Sequence, residues 1–219
     1  MSRKLLIAIF LSISTVVLLI AMPGATKSCP TGGSEMVTRG NICYPANIEK
    51  PLLEAYRHFP ELKDNKIFFR YAEDFSSSYM QAQPLIGSLL KDKGKREYVI
   101  RMKPYLIIAG DSLPLNKVPD KVLTGWLGHE MGHLVDYHQR SSFNLLFLGL
   151  RYLLSPNAVI IAEETADHYA IDHGLGAEII ATKEYILKDQ DFPQWYQDRI
   201  ERYYLTADDV REYLQEKDN

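Results

Sequence analysis

Leu123 to Tyr137 reads LTGWLGHEMGHLVDY and sets His129, Glu130 and His133 in the arrangement H-E-x-x-H. At about 100° per residue, positions 129 and 133 lie only about 40° apart on a helix, one turn along its axis. Two imidazoles on that face reach a single ion. Glu130, one step round, reaches a water held by that ion and can take its proton. The helix is expected to begin near Pro119-Asp120, since proline suits the first helical position and an acid complements the positive end of the dipole. Val122, Trp126, His129 and His133 form one stripe, with Leu123, Leu127, Glu130 and Leu134 beside it. Gly125, Gly128 and Gly132 are poor helix formers, costing up to about 1 kcal/mol each against alanine. Their density calls for close approach of another element, or of a substrate, to this helix.

A catalytic zinc needs three protein ligands and one open position. A third histidine six residues beyond His133, with a glycine between, would close one known pattern, but those places hold Asp136 and Gln139. The stretch Ala158 to His173, AVIIAEETADHYAIDH, offers an alternative. Glu163 and Asp167 share a helical face with the small residues Ala166 and Ala170, which let this helix press against the first and bring a carboxylate to the metal. Asp167, one turn on, is then placed to accept the free ring N–H of a ligand histidine. Glu164 lacks both the small-residue face and an acid at +4, which favours Glu163.

HEMGH at 129–133 followed by EETAD at 163–167 resembles the paired H-E-x-x-H and E-x-x-A-D signature of HtpX-type membrane peptidases. These belong to the glutamate-liganded zincins, the gluzincins, and are similar more distantly to thermolysin. The resemblance runs from His129 to Asp167. It implies an α+β, zincin-like domain with a small antiparallel or mixed sheet followed by a mainly helical half carrying two metal-binding helices. It also implies one Zn2+ held by His129, His133 and Glu163, with Glu130 as catalytic base and Asp167 behind the ligands. The chain departs from that group in lacking a pair of membrane spans between the two motifs. Its expected activity is zinc-dependent hydrolysis of a peptide or protein substrate. The alternative is a catalytically silent zincin-like domain that binds a peptide or an envelope protein.

Leu5 to Met22, LLIAIFLSISTVVLLIAM, carries no charge and follows Arg3 and Lys4. A run of this length and polarity is a signal peptide or an N-terminal membrane anchor, assigned here to residues 1–26. A clean A-x-A site is missing, which tilts the reading toward a retained anchor. The positive-inside rule then places the rest of the chain on the extracytoplasmic side, and cleavage would instead make it secreted or periplasmic. Cys29 and Cys43, the only cysteines, flank a glycine-rich stretch and would staple it by a disulfide in an oxidising compartment. Residues 27–50 are accordingly expected to be a linker, and 51–219 the metallopeptidase domain.

With 219 residues, 46% of them hydrophobic, the chain can bury a core, and its net charge of −3 without a basic cluster argues against a nucleic-acid partner. Pro51 to Phe59 has helical spacing, and Lys66 to Tyr71 reads as a strand. Pro84 to Leu90 and Lys95 to Met102 are expected to pair across Lys91–Gly94. The second of these is a candidate sheet edge for an extended substrate, or an ordinary core strand. Tyr105 to Ala109 is a further strand. Phe143 to Leu154, FNLLFLGLRYLL, is too short to span a bilayer. It is expected to be a buried packing helix, with a membrane-dipping hairpin and a wall of the substrate pocket as the alternatives. Beyond it, Ala177–Leu187 and Pro193–Leu205 read as helices, and Thr206 to Asp209 as a capping box for a last one.

Overall fold

The computed structural model describes residues 35–218. The apolar segment within residues 1–26 and the Cys29 end of the expected disulfide lie outside the described residues. Among the described residues, seven strands and seven α-helices follow. β1 (Met36–Arg39) and β2 (Ile42–Pro45) form a hairpin, then come α1 (Glu49–Tyr56), β3 (Lys66–Tyr71), β4 (Met80–Pro84), β5 (Glu97–Met102), β6 (Tyr105–Ile108) and β7 (Asp111–Pro114). The helical half holds α2 (Asp120–Gln139), α3 (Ser142–Leu154), α4 (Pro156–Ala170), α5 (Gly176–Glu184), α6 (Gln194–Tyr203) and α7 (Ala207–Asp218). This is an α+β architecture whose main sheet is mixed. Its order is β1-β2-β3-β5-β4, with β2, β3 and β5 parallel and β1 and β4 antiparallel to their neighbours.

Several elements differ from the sequence expectation. Residues 36–45 are not linker: β1 and β2 turn at Gly40-Asn41, where Gly40 takes a positive φ of 59°, and β2 joins β3 with Cys43 and Tyr44 buried. The strand placed at Pro84–Leu90 lies earlier, at Met80–Pro84, because Pro84 ends the ladder and Ile86–Ser88 coils into a 3-10 turn. β5 is interior rather than an edge; β4 is the edge strand on that side, and it runs beside α2. A second hairpin, β6–β7, turns through Ala109 and Gly110, and β7 was not read in the sequence.

One face of the sheet, with Ile67, Phe69, Tyr98, Ile100 and Met102, packs against Leu123, Trp126, Leu127 and Leu134 of α2. Every residue of α2 from Val122 to Asp136 is buried, polar ones included. The three glycines explain how a helix can be covered so completely. A Cβ at Gly132 would lie 2.3 Å from the backbone oxygen of Ala166 in α4, and one at Gly125 only 2.2 Å from that of Glu178 in α5. Backbones therefore touch where side chains would hold them apart. Thr182 of α5 ties the contact further by donating its hydroxyl to the Val122 carbonyl at 2.8 Å.

α3 departs most from expectation. Of its apolar residues only Leu145 is buried, whereas Phe143, Leu146, Phe147, Leu150, Leu153 and Leu154 are exposed. The helix is well formed, with Ser141 as N-cap accepting from the Asn144 N–H, but it lies on the surface.

Candidate metal centre

α2 and α4 cross at Gly132 and Ala166, and the crossing brings His129 and His133 against Glu163. Glu163 Oε2 lies 3.2 Å from His129 Nε2 and 3.1 Å from His133 Nε2. One donor atom from each of the three residues lies within 4.8 Å of the other two, and all three residues are buried. Ligand atoms around a tetrahedral zinc with bonds of about 2.0–2.1 Å stand about 3.3–3.4 Å apart, so two of the three edges already match. Two neutral imidazoles, one carboxylate and no thiolate form a donor set suited to zinc. The residues present fit the ion.

Asp167 accepts the His129 Nδ1 proton at 2.8 Å, which turns Nε2 toward Glu163. Its other oxygen accepts from Lys183 Nζ at 2.8 Å and from the Leu205 N–H at 3.2 Å. Asp167 is fully buried; although burial favours its neutral form, Lys183 and His129 outweigh that and hold its carboxyl below the usual range. Lys183 is itself buried, with its ammonium 4.5 Å over the Tyr204 ring.

Both nitrogens of His129 face carboxylates, so both carry protons in the metal-free arrangement. Burial opposes that charge, but Asp167 and then Glu163 overcome it and push the imidazole up to about 9. Glu163 is held far below its ordinary range: burial works against ionisation, and the hydrogen bonds from His129 and His133 prevail. Its remaining oxygen, Oε1, accepts from the Tyr152 hydroxyl at 2.7 Å and from Arg199 at 3.2 Å, and Arg199 also reaches the Tyr152 oxygen at 3.2 Å. One carboxylate oxygen is thus clamped while the other is aimed at the two imidazoles.

Glu130 does not join this set. It lines, beside His129, a cavity of about 20 Å³ shared with Met80, Trp126, Tyr196 and Tyr204, room for one water molecule. Its Oε2 is buried and has no hydrogen-bond partner. Burial raises its carboxyl above the ordinary value; the nearby imidazoles and the backbone amide of edge residue Ala82 pull the other way. Burial of this kind makes the carboxylate a stronger base.

The structure therefore brings together His129, Glu130, His133, Glu163 and Asp167, all named from sequence. His168 and His173 do not join them. His168 packs on the Tyr213 ring, and His173 bonds the Tyr169 carbonyl and Glu61. The Tyr169 hydroxyl donates to Gln139 Oε1 at 2.8 Å. Asp136 is buried and paired with Arg140 at 2.8 Å. Sequence reading missed Tyr152, Lys183, Arg199 and Tyr204. No spacing ties these residues to the motif, and only the fold places them. No family model, no curated protein and no solved structure matches this chain.

Proposed function

We propose that this chain is a zinc-dependent endopeptidase of the gluzincin kind, acting on a peptide or protein substrate. The observation that carries the reading is the convergence of His129, His133 and Glu163 on one point, with an unpartnered Glu130 oxygen beside a water-sized cavity. Zinc, when bound, supplies a Lewis acid that polarises the scissile carbonyl and lowers the pKa of a coordinated water toward about 7. Glu130 takes one proton from the attacking water as its oxygen bonds to the carbonyl carbon. The same carboxyl returns that proton to the amide nitrogen as the C–N bond breaks. Asp167, backed by Lys183, fixes the His129 tautomer and orientation. Tyr152 and Arg199 fix the Glu163 rotamer.

All four motif groups are buried, and the Tyr204 ring lies beside that of His129, with 5.2 Å between centroids. An anchor at residues 1–26 would hold the domain on the extracytoplasmic side of a membrane, and cleavage there would release it. A purely structural metal site has no use for Glu130, which is why catalysis is preferred over a silent binding domain. The full chain, loaded with one equivalent of zinc, should cleave an internally quenched peptide library. Glu130→Gln should keep the zinc and lose at least about 10²-fold in rate. Zinc retention with equal cleavage in both proteins would refute the role of Glu130.

A further inference from the structure

The face of α3 that the fold leaves uncovered has an order of its own. On a helical projection Leu153, Leu146, Leu150, Phe143, Leu154 and Phe147 fall within a sector of about 120°, all exposed. The opposite side carries Leu145, Leu148 and Tyr152, which turn toward α4 and the metal centre. Ile161 of α4 adds another exposed apolar side chain. At about 100 Å² each, the six side chains present on the order of 600 Å², the upper end of what a soluble monomer leaves bare. The sector contains no polar residue. Asn144 and Arg151 border it, and no acidic residue occurs between Asp136 and Glu163.

We infer that this face of α3 lies in the interfacial layer of a lipid bilayer, apolar side chains down and Arg151 level with the headgroups. Three features favour lipid over another occupant. An amphipathic helix with leucine and phenylalanine on one side, arginine at its border and no acid nearby has the make-up of an interfacial helix. The chain also carries the uncharged run Leu5–Met22, and the inference rests in part on reading it as membrane-targeting. From Met22 to residue 35 the chain spans at most about 45 Å, about one diameter of a domain of this size, so α3 stays within reach of the bilayer. A second copy is the weaker candidate, because roughly 600 Å² per partner falls short of the about 800 Å² of a standard interface. Because Tyr152 projects from the inner side of the same helix to Glu163, the membrane contact and the metal centre share one rigid element.

The test uses the full chain in vesicles of phosphatidylethanolamine and phosphatidylglycerol, with p-benzoylphenylalanine placed singly at Phe147, Leu150, Arg57 or Val17. After illumination, lipid adducts are read by mass spectrometry. Positions 147 and 150 should give at least tenfold more lipid adduct than exposed position 57 at the end of α1. Phe147→Asp with Leu150→Asp, both at exposed positions, should cut the adduct from a probe at Leu154 by more than tenfold while leaving zinc content unchanged. No lipid adduct at 147 and 150, with lipid captured at 17, would overturn the proposal. Capture of a second copy, or of residues 5–22 of the same chain, would overturn it equally. Lipid at 147 and 150 but none at 17 would leave the docking face standing and remove only the anchor.

Discussion

Replacing Gly132 by alanine adds one methyl group at the point where α2 and α4 touch. Its ideal position is 2.3 Å from the Ala166 carbonyl oxygen and 3.1 Å from the Ala166 Cα, both backbone atoms that no rotamer change can move. Relief to an ordinary contact of about 3.4 Å requires the two helices to part by roughly 1 Å. Overpacking of that kind costs about 1–3 kcal/mol, against which the better helix propensity of alanine returns up to about 1 kcal/mol. Because α4 carries Glu163, the same shift stretches its 3.1 and 3.2 Å contacts with the two imidazoles and spoils the zinc geometry. The variant should melt about 3–8 °C lower and bind zinc at least tenfold more weakly, as measured by thermal unfolding and competitive chelator titration. Gly149→Ala in α3 is the control, since a Cβ there meets nothing within 4 Å. It should stabilise by up to about 1 kcal/mol. Gly132→Ala with native stability and native zinc affinity would refute the close-crossing explanation of the glycines.

Zinc uptake should depend on pH through His129. Its imidazole is raised to about 9, so the stabilisation it contributes to the metal-free protein is complete below the ordinary value of about 6.5 and is lost as pH rises through about 9. Zinc must displace that proton, so its affinity should climb about tenfold per pH unit from 7 and level off near 9, as followed by chelator competition across the range. Lys183→Met leaves Asp167 buried without its cation and should cost roughly 3–5 kcal/mol in denaturant unfolding. Adding Asp167→Asn to that variant should recover part of the loss.

Much of the site was legible because helical periodicity is a strong constraint. Spacing of four put His129 with His133 and Glu163 with Asp167, and the glycines and Ala166 announced a close crossing, which the structure places at Gly132 and Ala166. Lys66–Tyr71 was legible as a strand for the same reason of local pattern. Strand partners were not. Parallel pairing of β2 with β3 joins residues more than twenty positions apart, and nothing local specifies it. Arg199, Lys183 and Tyr152 belong to that second class, since a buried ion pair formed across three helices leaves no spacing to read. The misreading of Phe143–Leu154 has another cause. An apolar run signals removal from water, and burial in the protein is only one way of achieving it.

The central claim is that His129, His133 and Glu163 hold one zinc. Zinc K-edge absorption on the full chain, with metal content measured in parallel, tests it most directly. The account predicts one zinc per chain with two imidazole nitrogens and only oxygen otherwise at about 2.0–2.1 Å, and no stoichiometric zinc in Glu163→Ala or His133→Ala. Sulfur in the coordination shell, or no stoichiometric zinc in the native chain, would contradict it.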